Sequence, residues 1–220
     1  MLFRSQVQWR DNQSGCKGVC AGLPVVEMAR VLDPARCPNG SCFDDALLHD
    51  LDEVTARAQG SVLLVMHQLG SHGPAYFRRY PDAFKRFTPA CEQDELRRCS
   101  QQEIVNAYDN TLLYTDHVLG RLVDFLQGQQ QRFDTAMLYV SDHGESLGEN
   151  NLFLHGMPYA LAPKQQKHVP LIVWMPPSTR ASQHLDSDCL SARRDTPMSH
   201  DGLYHTVLSL SGVQTAIYRK

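Results

Sequence analysis

Three continuous apolar runs constrain the fold of this 220-residue chain more than any other feature of its sequence. They are SVLLVMH at 61–67, TAMLYVSD at 135–142 and VPLIVWM at 169–175. Each has the length of a β-strand, and an unbroken apolar run is expected where a strand is covered on both faces. The runs therefore predict three strands of a buried sheet.

Segments with helical spacing separate and follow these runs. DALLHDLDEVTARA at 45–58 has apolar residues at helical intervals, and a long amphipathic pattern covers 100–126. The second pattern begins with a capping box formed by Ser100 and Glu103. A last helix is predicted at 200–212. Strands that alternate with helices indicate an α/β fold with a largely parallel sheet flanked by helices.

Length and charge limit the classes of function. The chain can bury one sizeable core, and we expect a single domain over 1–220. Its net charge of -3 argues against a broadly basic surface for nucleic acid. No apolar run is long enough to span a membrane, and residues 1–15 contain neither the apolar core nor the small-residue cleavage site that a signal peptide would have. The segment 176–196 has no clear pattern and is predicted to be an irregular loop.

Six of the seven cysteines fall into three short pairs in polar, loop-like segments. Local disulfides that close small loops explain this spacing and imply an oxidising compartment. Free thiols in a cytosolic protein are the alternative, and a zinc ribbon is less favoured because no CxxC spacing is present. Cys189 is left over. The pairs are Cys16 with Cys20, Cys37 with Cys42, and Cys91 with Cys99.

Histidines and a carboxylate follow two of the predicted strands. Ligands of open α/β sheets bind beyond the carboxyl ends of the strands. His67 and His72 lie at the end of the first run, and Asp142 and His143 at the end of the second, with His155 in the following loop. Imidazole nitrogens and carboxylate oxygens are zinc ligands, so a zinc site is predicted there.

A structural role is the alternative for each of these histidines taken alone. The adjacent Asp142 and His143, with two histidines at the neighbouring strand end, favour metal or phosphate chemistry. We expect Glu145, two residues further on, to be a loop carboxylate or to support a ligand rather than bind the metal itself.

Several segments together resemble one enzyme family. They are LYVSDHGESLGENNLFLHGMPYALAPKQQKHVPLIVWMPP, WRDNQSGCKGVC, HQLGSHGPAYFRRYP, NAYDNTLLYTDHVLG and SHDGLYHTVL. In order and content they resemble the C-terminal part of the periplasmic domain of lipid A phosphoethanolamine transferases, which include the colistin-resistance enzymes. That family lies within the alkaline phosphatase/sulfatase superfamily, whose fold is an α/β sheet with zinc at the strand ends.

The resemblance assigns roles to individual residues. Asp142 and His143 match the zinc-binding Asp-His pair of the family. His72 and His155 match histidines that contact the phosphoethanolamine head group or a second zinc. Lys17 matches a lysine of the substrate pocket.

Gln13 stands where the family usually has an asparagine that contacts substrate, which puts that contact in doubt. The three cysteine pairs match family disulfides, which implies the periplasmic face of the bacterial inner membrane.

The reaction implied by the resemblance has two steps. A zinc-activated threonine attacks the phosphorus of phosphatidylethanolamine, diacylglycerol leaves, and phosphoethanolamine stays on the threonine. A phosphate oxygen of lipid A then displaces the threonine, and the modified lipid A binds polymyxins more weakly. The threonine motif, a further zinc-binding glutamate, the N-terminal strands and the membrane-spanning part are expected before residue 1. We therefore expect a partial catalytic domain that is inactive alone and has an exposed sheet edge. A sulfatase or phosphohydrolase relative, and a non-catalytic gene fragment, are the alternatives.

Overall fold

The computed structural model describes residues 5–33, 36–213 and 215–217. The chain divides into two compact units, Met1–Leu122 with Glu145–Lys167, and Val123–Gly144 with His168–Lys220. None of the helices in the described ranges has the length and apolar character needed to cross a membrane.

The described chain forms seven strands and seven α-helices, with short 3-10 turns between them. In order along the chain they are β1 (Gln6–Asp11), β2 (Val25–Glu27), α1 (Met28–Val31), α2 (Leu51–Arg57), β3 (Val62–His67), α3 (Gln101–Gly128), β4 (Met137–Val140), β5 (Ser146–Leu147), β6 (Phe153–Leu154), α4 (Lys164–Lys167), β7 (Leu171–Trp174), α5 (Pro177–Ser182), α6 (Ser187–Ala192) and α7 (Leu203–Leu210).

A parallel sheet in the order β2-β1-β3 organises the first unit. The α/β prediction with a parallel sheet is confirmed here, and the run at 61–67 forms β3. In the register of the sheet, Asp11 lies opposite His67, so both strands end at the same level. β1 was not predicted because its sequence, QVQWRD, has no apolar run. Its last three residues are nevertheless buried.

The helix predicted at 45–58 is interrupted. Asp44–Leu48 form a 3-10 turn, and α2 begins only after Asp50, whose φ of 53° places it in the left-handed region. The prediction of one continuous helix was therefore wrong. The helix at 100–126 is confirmed as α3, and its capping box is present: the backbone N–H of Ser100 donates to Glu103 Oε2 at 2.7 Å.

The second unit contains a two-stranded sheet of β4 and β7. Both predicted strands are present, but they pair antiparallel, with Met137 opposite Trp174. The segment 176–196, predicted to be irregular, contains α5 and α6. Asp186 begins α6 by accepting hydrogen bonds from the backbone N–H groups of Asp188 and Cys189, a capping signal that was missed.

All three predicted disulfides are present. They join Cys16 to Cys20, Cys37 to Cys42, and Cys91 to Cys99. Cys189 is a free, exposed thiol. Two of the bridges lie in hydrophobic clusters of the first unit, Cys37–Cys42 beside Met28 and Leu47, and Cys91 beside Tyr76 and Ile104.

Candidate active site

Asp11 and His67 form a hydrogen-bonded pair at the ends of β1 and β3. Asp11 Oδ1 lies 2.6 Å from His67 Nδ1, and the Asp11 side chain is 1% exposed. Asp11 Oδ2 accepts a hydrogen bond from the backbone N–H of Gly15 at 3.0 Å. One buried carboxylate therefore holds the imidazole at the end of β3 and shapes the loop that leads to Lys17.

Asp44 is a second buried carboxylate at this edge of the sheet. It accepts hydrogen bonds from Asn12 Nδ2 at 2.7 Å and from the backbone N–H groups of Leu69 and Gly70 at 2.9 and 2.7 Å. Burial raises the pKa of Asp44, and the hydrogen bond from Asn12 opposes that shift. Asp44 thus ties the loop after β1 to the loop after β3. Its place directly before the helix predicted at 45–58 gave no sign of this role.

Gln13 and Lys17 occupy the loop after β1. Gln13 Nε2 donates to the backbone oxygen of Gln68 at 2.6 Å, so its amide supports the loop that carries His72. Lys17 is exposed, with a φ of 49°, inside the turn closed by the disulfide of Cys16. The structure therefore gives Gln13 a supporting contact, while the substrate roles of both residues stay predictions.

The structure brings His72 and His155 together. Their rings meet edge to face with centroids 5.2 Å apart. His155 Nδ1 lies 3.1 Å from Glu145 Oε1, and His72 Nδ1 lies 2.8 Å from the backbone oxygen of Gly73. The backbone N–H of Gly73 donates to Glu145 Oε1 at 3.4 Å. Glu145 thus contacts both the loop that carries His72 and the ring of His155.

Glu145, predicted to be a loop or supporting carboxylate, is buried within this site. Its side chain is 4% exposed, and its Oε2 has no hydrogen-bond partner among the described residues. The nearby Tyr76 hydroxyl is also buried and interacts with the Glu145 side chain. Burial, followed by the charge of Glu145, raises the pKa of Tyr76, so the phenol stays neutral.

An unpartnered, buried carboxylate oxygen is costly unless a cation or donor satisfies it. The His155 imidazole contacts the same carboxylate, and a carboxylate oxygen beside an imidazole nitrogen suits zinc. The residues of the first unit therefore fit a metal or cationic group at this position.

Asp142 and His143 follow β4 in the second unit. Asp142 Oδ1 accepts a hydrogen bond from the backbone N–H of His143 at 3.0 Å, and its side chain is 84% exposed. His143 Nδ1 lies 3.0 Å from the backbone oxygen of Gly144. His200, which no sequence pattern marked as a site residue, places its Nε2 2.8 Å from the backbone oxygen of Ser141. The pair is presented at a strand end, as the sequence predicted.

Known proteins provide close comparisons. The chain is 43% identical over 214 residues to phosphoethanolamine transferase EptA of Salmonella typhimurium, covering 97% of this chain and 39% of that protein. It is 43% identical to phosphatidylethanolamine transferase Mcr-1 of Escherichia coli, covering 94% of this chain and 38% of that protein. The chain therefore spans about two fifths of the length of these relatives.

The fold has a solved counterpart. The soluble domain of lipooligosaccharide phosphoethanolamine transferase A from Neisseria meningitidis superposes with a TM-score of 0.93 at 39% identity, covering 98% of this chain and 65% of that domain. The sulfatase family profile matches residues 3–213, which is nearly the whole chain. The chain therefore belongs to the sulfatase family, and within it is similar to the phosphoethanolamine transferases.

Proposed function

We propose that this chain is part of the catalytic domain of a zinc-dependent phosphoethanolamine transferase, which moves phosphoethanolamine from phosphatidylethanolamine to a phosphate of lipid A. The observation that carries the proposal is the group formed by His72, His155 and the buried Glu145. The similarity to EptA and Mcr-1 supports it. The three disulfides support a location at the periplasmic face of the inner membrane.

Asp142 and His143 are the residues that would hold the catalytic zinc, as the family resemblance implies. When bound, zinc supplies a positive charge that acidifies a hydroxyl and stabilises charge on phosphate oxygens. A carboxylate oxygen and an imidazole nitrogen are both zinc ligands, and the end of β4 presents this adjacent pair.

His72, His155 and Lys17 would contact the head group. Their imidazole and ammonium groups can donate hydrogen bonds to phosphate oxygens. The Glu145 carboxylate contacts His155 Nδ1, which fixes the ring orientation and favours a proton on that nitrogen. Glu145 is thus a positioning residue for His155, and its second oxygen remains for the ammonium of ethanolamine or for a metal ion.

We further propose that the isolated chain has no transferase activity. None of its threonines lies in the Cys-Gly-Thr-Ser-Thr-like context of the family nucleophile. Incubation with phosphatidylethanolamine vesicles and lipid A, followed by mass spectrometry, should show no lipid A that carries phosphoethanolamine. Transfer by the chain alone would contradict this part of the proposal.

Binding of the head group tests the proposed function directly. Calorimetric titration of phosphoethanolamine into the chain in the presence of zinc should show saturable binding. His155→Ala should weaken that binding at least about tenfold, a loss of about 1.4 kcal/mol. His49→Ala is the matched control, because His49 is exposed and lies at the other end of the 3-10 turn that begins at Asp44. Equal affinities of the two variants would exclude His155 from the site.

A further inference from the structure

The loop that follows His155 presents apolar side chains to solvent. Within residues 156–162, Met157 is 38% exposed, Tyr159 81% and Leu161 70%. We call this segment the Tyr159 loop, and it lies wholly within the first unit. Single exposed apolar residues are common on protein surfaces, but three at alternate positions of one short loop indicate a surface that a partner covers.

The backbone of the Tyr159 loop forms a defined turn. The N–H groups of Leu161 and Ala162 donate to the backbone oxygen of Pro158 at 2.8 and 2.9 Å. Pro158 and Pro163 restrict the chain further, because the ring of a proline fixes its φ angle. The exposed side chains of Tyr159 and Leu161 therefore stand on a turn with internal hydrogen bonds, and little further ordering is needed when a partner binds.

Buried residues anchor the C-terminal end of the loop. Ala162 is buried, and Gln166 of α4 is buried and donates from Nε2 to Ser146 Oγ at 2.9 Å. The fold thus buries the residues next to the turn and leaves Tyr159 and Leu161 in water. Removal of apolar surface from water is favourable, so a partner that covers these two side chains gains binding free energy.

The charges in the sequence around the loop are positive. Residues 150–167 contain Lys164 and Lys167 but no aspartate or glutamate, although the whole chain has a net charge of -3. Lys167 Nζ donates to the backbone oxygen of Tyr159 at 3.2 Å and lies 5.0 Å from the centre of its ring. Exposed apolar groups are thus combined with ammonium groups, a combination that matches a surface with anionic head groups above an apolar interior.

We propose that the Tyr159 loop docks on a bilayer surface that contains anionic phospholipid. Met157 and Leu161 would enter the boundary between head groups and acyl chains, and Lys164 and Lys167 would contact lipid phosphates. Tyrosine suits this boundary because its ring is apolar and its hydroxyl forms hydrogen bonds. Such a contact lies on the bilayer and does not cross it.

A second copy of this chain fits the Tyr159 loop less well. A symmetric contact between two copies places the same surface of each copy against the other. The lysines of one loop would then face the lysines of the other, and like charges repel. The positive charge that opposes this contact favours an anionic lipid surface.

Docking would bring the candidate active site to the lipid head groups. Tyr159 is four residues from His155, a length of chain that spans at most about 14 Å. His155, whose ring contacts Glu145, would then lie near the layer in which phosphatidylethanolamine presents its phosphate. This consequence rests on the proposed function, whereas docking itself requires only the loop.

Co-sedimentation of the chain with vesicles tests the docking surface. Vesicles of phosphatidylcholine and phosphatidylglycerol in equal amounts are anionic, and vesicles of phosphatidylcholine alone are neutral. Neither contains phosphatidylethanolamine, so binding does not depend on the proposed donor. The chain should bind the anionic vesicles more tightly, and less so at high salt because ions screen the lysines. Equal binding to both kinds of vesicle would overturn the proposal.

A matched pair of double variants tests the apolar contact. Tyr159→Ser with Leu161→Ser, the loop variant, should bind anionic vesicles at least about tenfold more weakly, a loss of about 1.4 kcal/mol. Leu190→Ser with Tyr204→Ser removes an exposed leucine and an exposed tyrosine from α6 and α7 and should change binding less than twofold. Equal binding of the two double variants would overturn the proposal.

A pair of charge variants tests the contribution of the lysines. Lys164→Gln should weaken binding to anionic vesicles about fivefold, the scale of one basic residue near an anionic surface. Arg57→Gln removes the same charge from an exposed residue of α2 that pairs with Glu53, and should change binding less than twofold. Equal losses in the two variants would overturn the role of Lys164.

A fluorescent variant separates insertion of the loop from misfolding. Tyr159→Trp should bind at least as tightly as the wild type, because tryptophan also favours the membrane interface. Its emission should shift to shorter wavelength with anionic vesicles, above a background from Trp9 and Trp174 that all variants share. Tyr204→Trp should show no such shift. A shift in both variants, or in neither, would contradict insertion of the Tyr159 loop.

The remaining outcomes distinguish this proposal from its alternatives. A dimer that the loop variant abolishes, without binding to anionic vesicles, would assign the loop to a second copy and overturn lipid docking. If phosphoethanolamine fails to bind but the chain binds vesicles through the loop, the proposed function fails and the docking surface stands. If phosphoethanolamine binds through His155 and vesicle binding does not depend on the loop, the docking proposal fails alone.

Discussion

Asp11 Oδ1 lies 2.6 Å from His67 Nδ1, and this contact joins the carboxyl ends of two strands that are paired in register. The loops that begin at these two strand ends carry Lys17 and His72. Asp11 also accepts the N–H of Gly15, so one carboxylate supports both the sheet edge and the first of these loops. The candidate site is thus built on the sheet rather than on the loops alone.

Replacing this carboxylate should destabilise the first unit. Asp11→Asn keeps the size of the side chain but replaces one accepting oxygen with a donor, so it cannot accept hydrogen bonds from Gly15 N–H and from a protonated His67 Nδ1 through two separate oxygens. We expect a loss of about 1–3 kcal/mol in the free energy of unfolding, the cost of a buried polar group left unpaired. Urea denaturation followed by circular dichroism measures this change.

Asp116→Asn is the control for that experiment, since Asp116 is exposed in the middle of α3. Its effect should stay within about 0.5 kcal/mol, as for most surface substitutions. Similar losses in the two variants would show that the contact between Asp11 and His67 contributes little to stability.

The sequence predicted the parts of this molecule whose signals are local. The runs at 61–67, 135–142 and 169–175 became strands because apolar runs of this length have few other ways to be buried. The disulfides were predictable because each pair closes a short loop. His72 and His155 were selected because both follow strand ends or their loops.

Features that depend on distant contacts were not predictable in the same way. Asp44 and Glu145 look like surface carboxylates in the sequence, and their burial follows from hydrogen bonds to residues 25 to 72 positions away. β4 and β7 pair antiparallel, and an apolar run in the sequence does not indicate in which direction the strand runs relative to its neighbour. The polar strand β1 is placed by its two neighbours rather than by its own composition.

Asp44 should give the stability of the chain a distinctive pH dependence. Because burial raises its pKa, the folded chain holds this proton more tightly than the unfolded chain does. The contribution of Asp44 to stability is therefore greatest at low pH and is lost as the pH rises from the ordinary aspartate value of about 3.9 through the raised value.

Comparison with Asp44→Asn isolates this effect, because other titrating groups are common to both proteins. The free energy of unfolding of the wild type minus that of the variant should increase as the pH falls through the raised pKa towards the ordinary aspartate value of about 3.9. A difference that decreases over this range would mean that the hydrogen bonds from Asn12, Leu69 and Gly70 outweigh burial.

The disulfide between Cys91 and Cys99 should stabilise the chain measurably. Cys91 is 2% exposed and packs in a cluster with Tyr76, Leu96 and Ile104. The double variant Cys91→Ser, Cys99→Ser should lose about 2–4 kcal/mol in the free energy of unfolding. The unfolded chain gains conformational freedom without the bridge, and a serine hydroxyl is buried at position 91. Cys189→Ser should have the wild-type melting temperature because that thiol is exposed and unbridged. Equal melting temperatures in all three proteins would contradict a stabilising bridge.

Gly73 is a position where even one methyl group should disturb the site. A Cβ at Gly73 would collide with Leu154 Cδ2 and lie 2.9 Å from the Tyr76 hydroxyl oxygen. Both neighbours lie close to Glu145 and His155, so relief of the collision would shift the groups proposed to bind phosphoethanolamine. We expect Gly73→Ala to cost about 1–3 kcal/mol of stability, as overpacking in a filled core does, and to weaken phosphoethanolamine binding.

Gly120→Ala separates this collision from the general effect of removing a glycine. Gly120 lies within α3, and a Cβ there meets no atom within 4 Å. Alanine has the higher helix propensity, so this variant should gain up to about 1 kcal/mol and bind phosphoethanolamine as the wild type does. Thermal denaturation should show a lower melting temperature for Gly73→Ala and a higher one for Gly120→Ala, and calorimetric titration should show weaker binding only for Gly73→Ala. A stable Gly73→Ala variant with unchanged binding would show that Leu154 and Tyr76 can move aside without affecting His155.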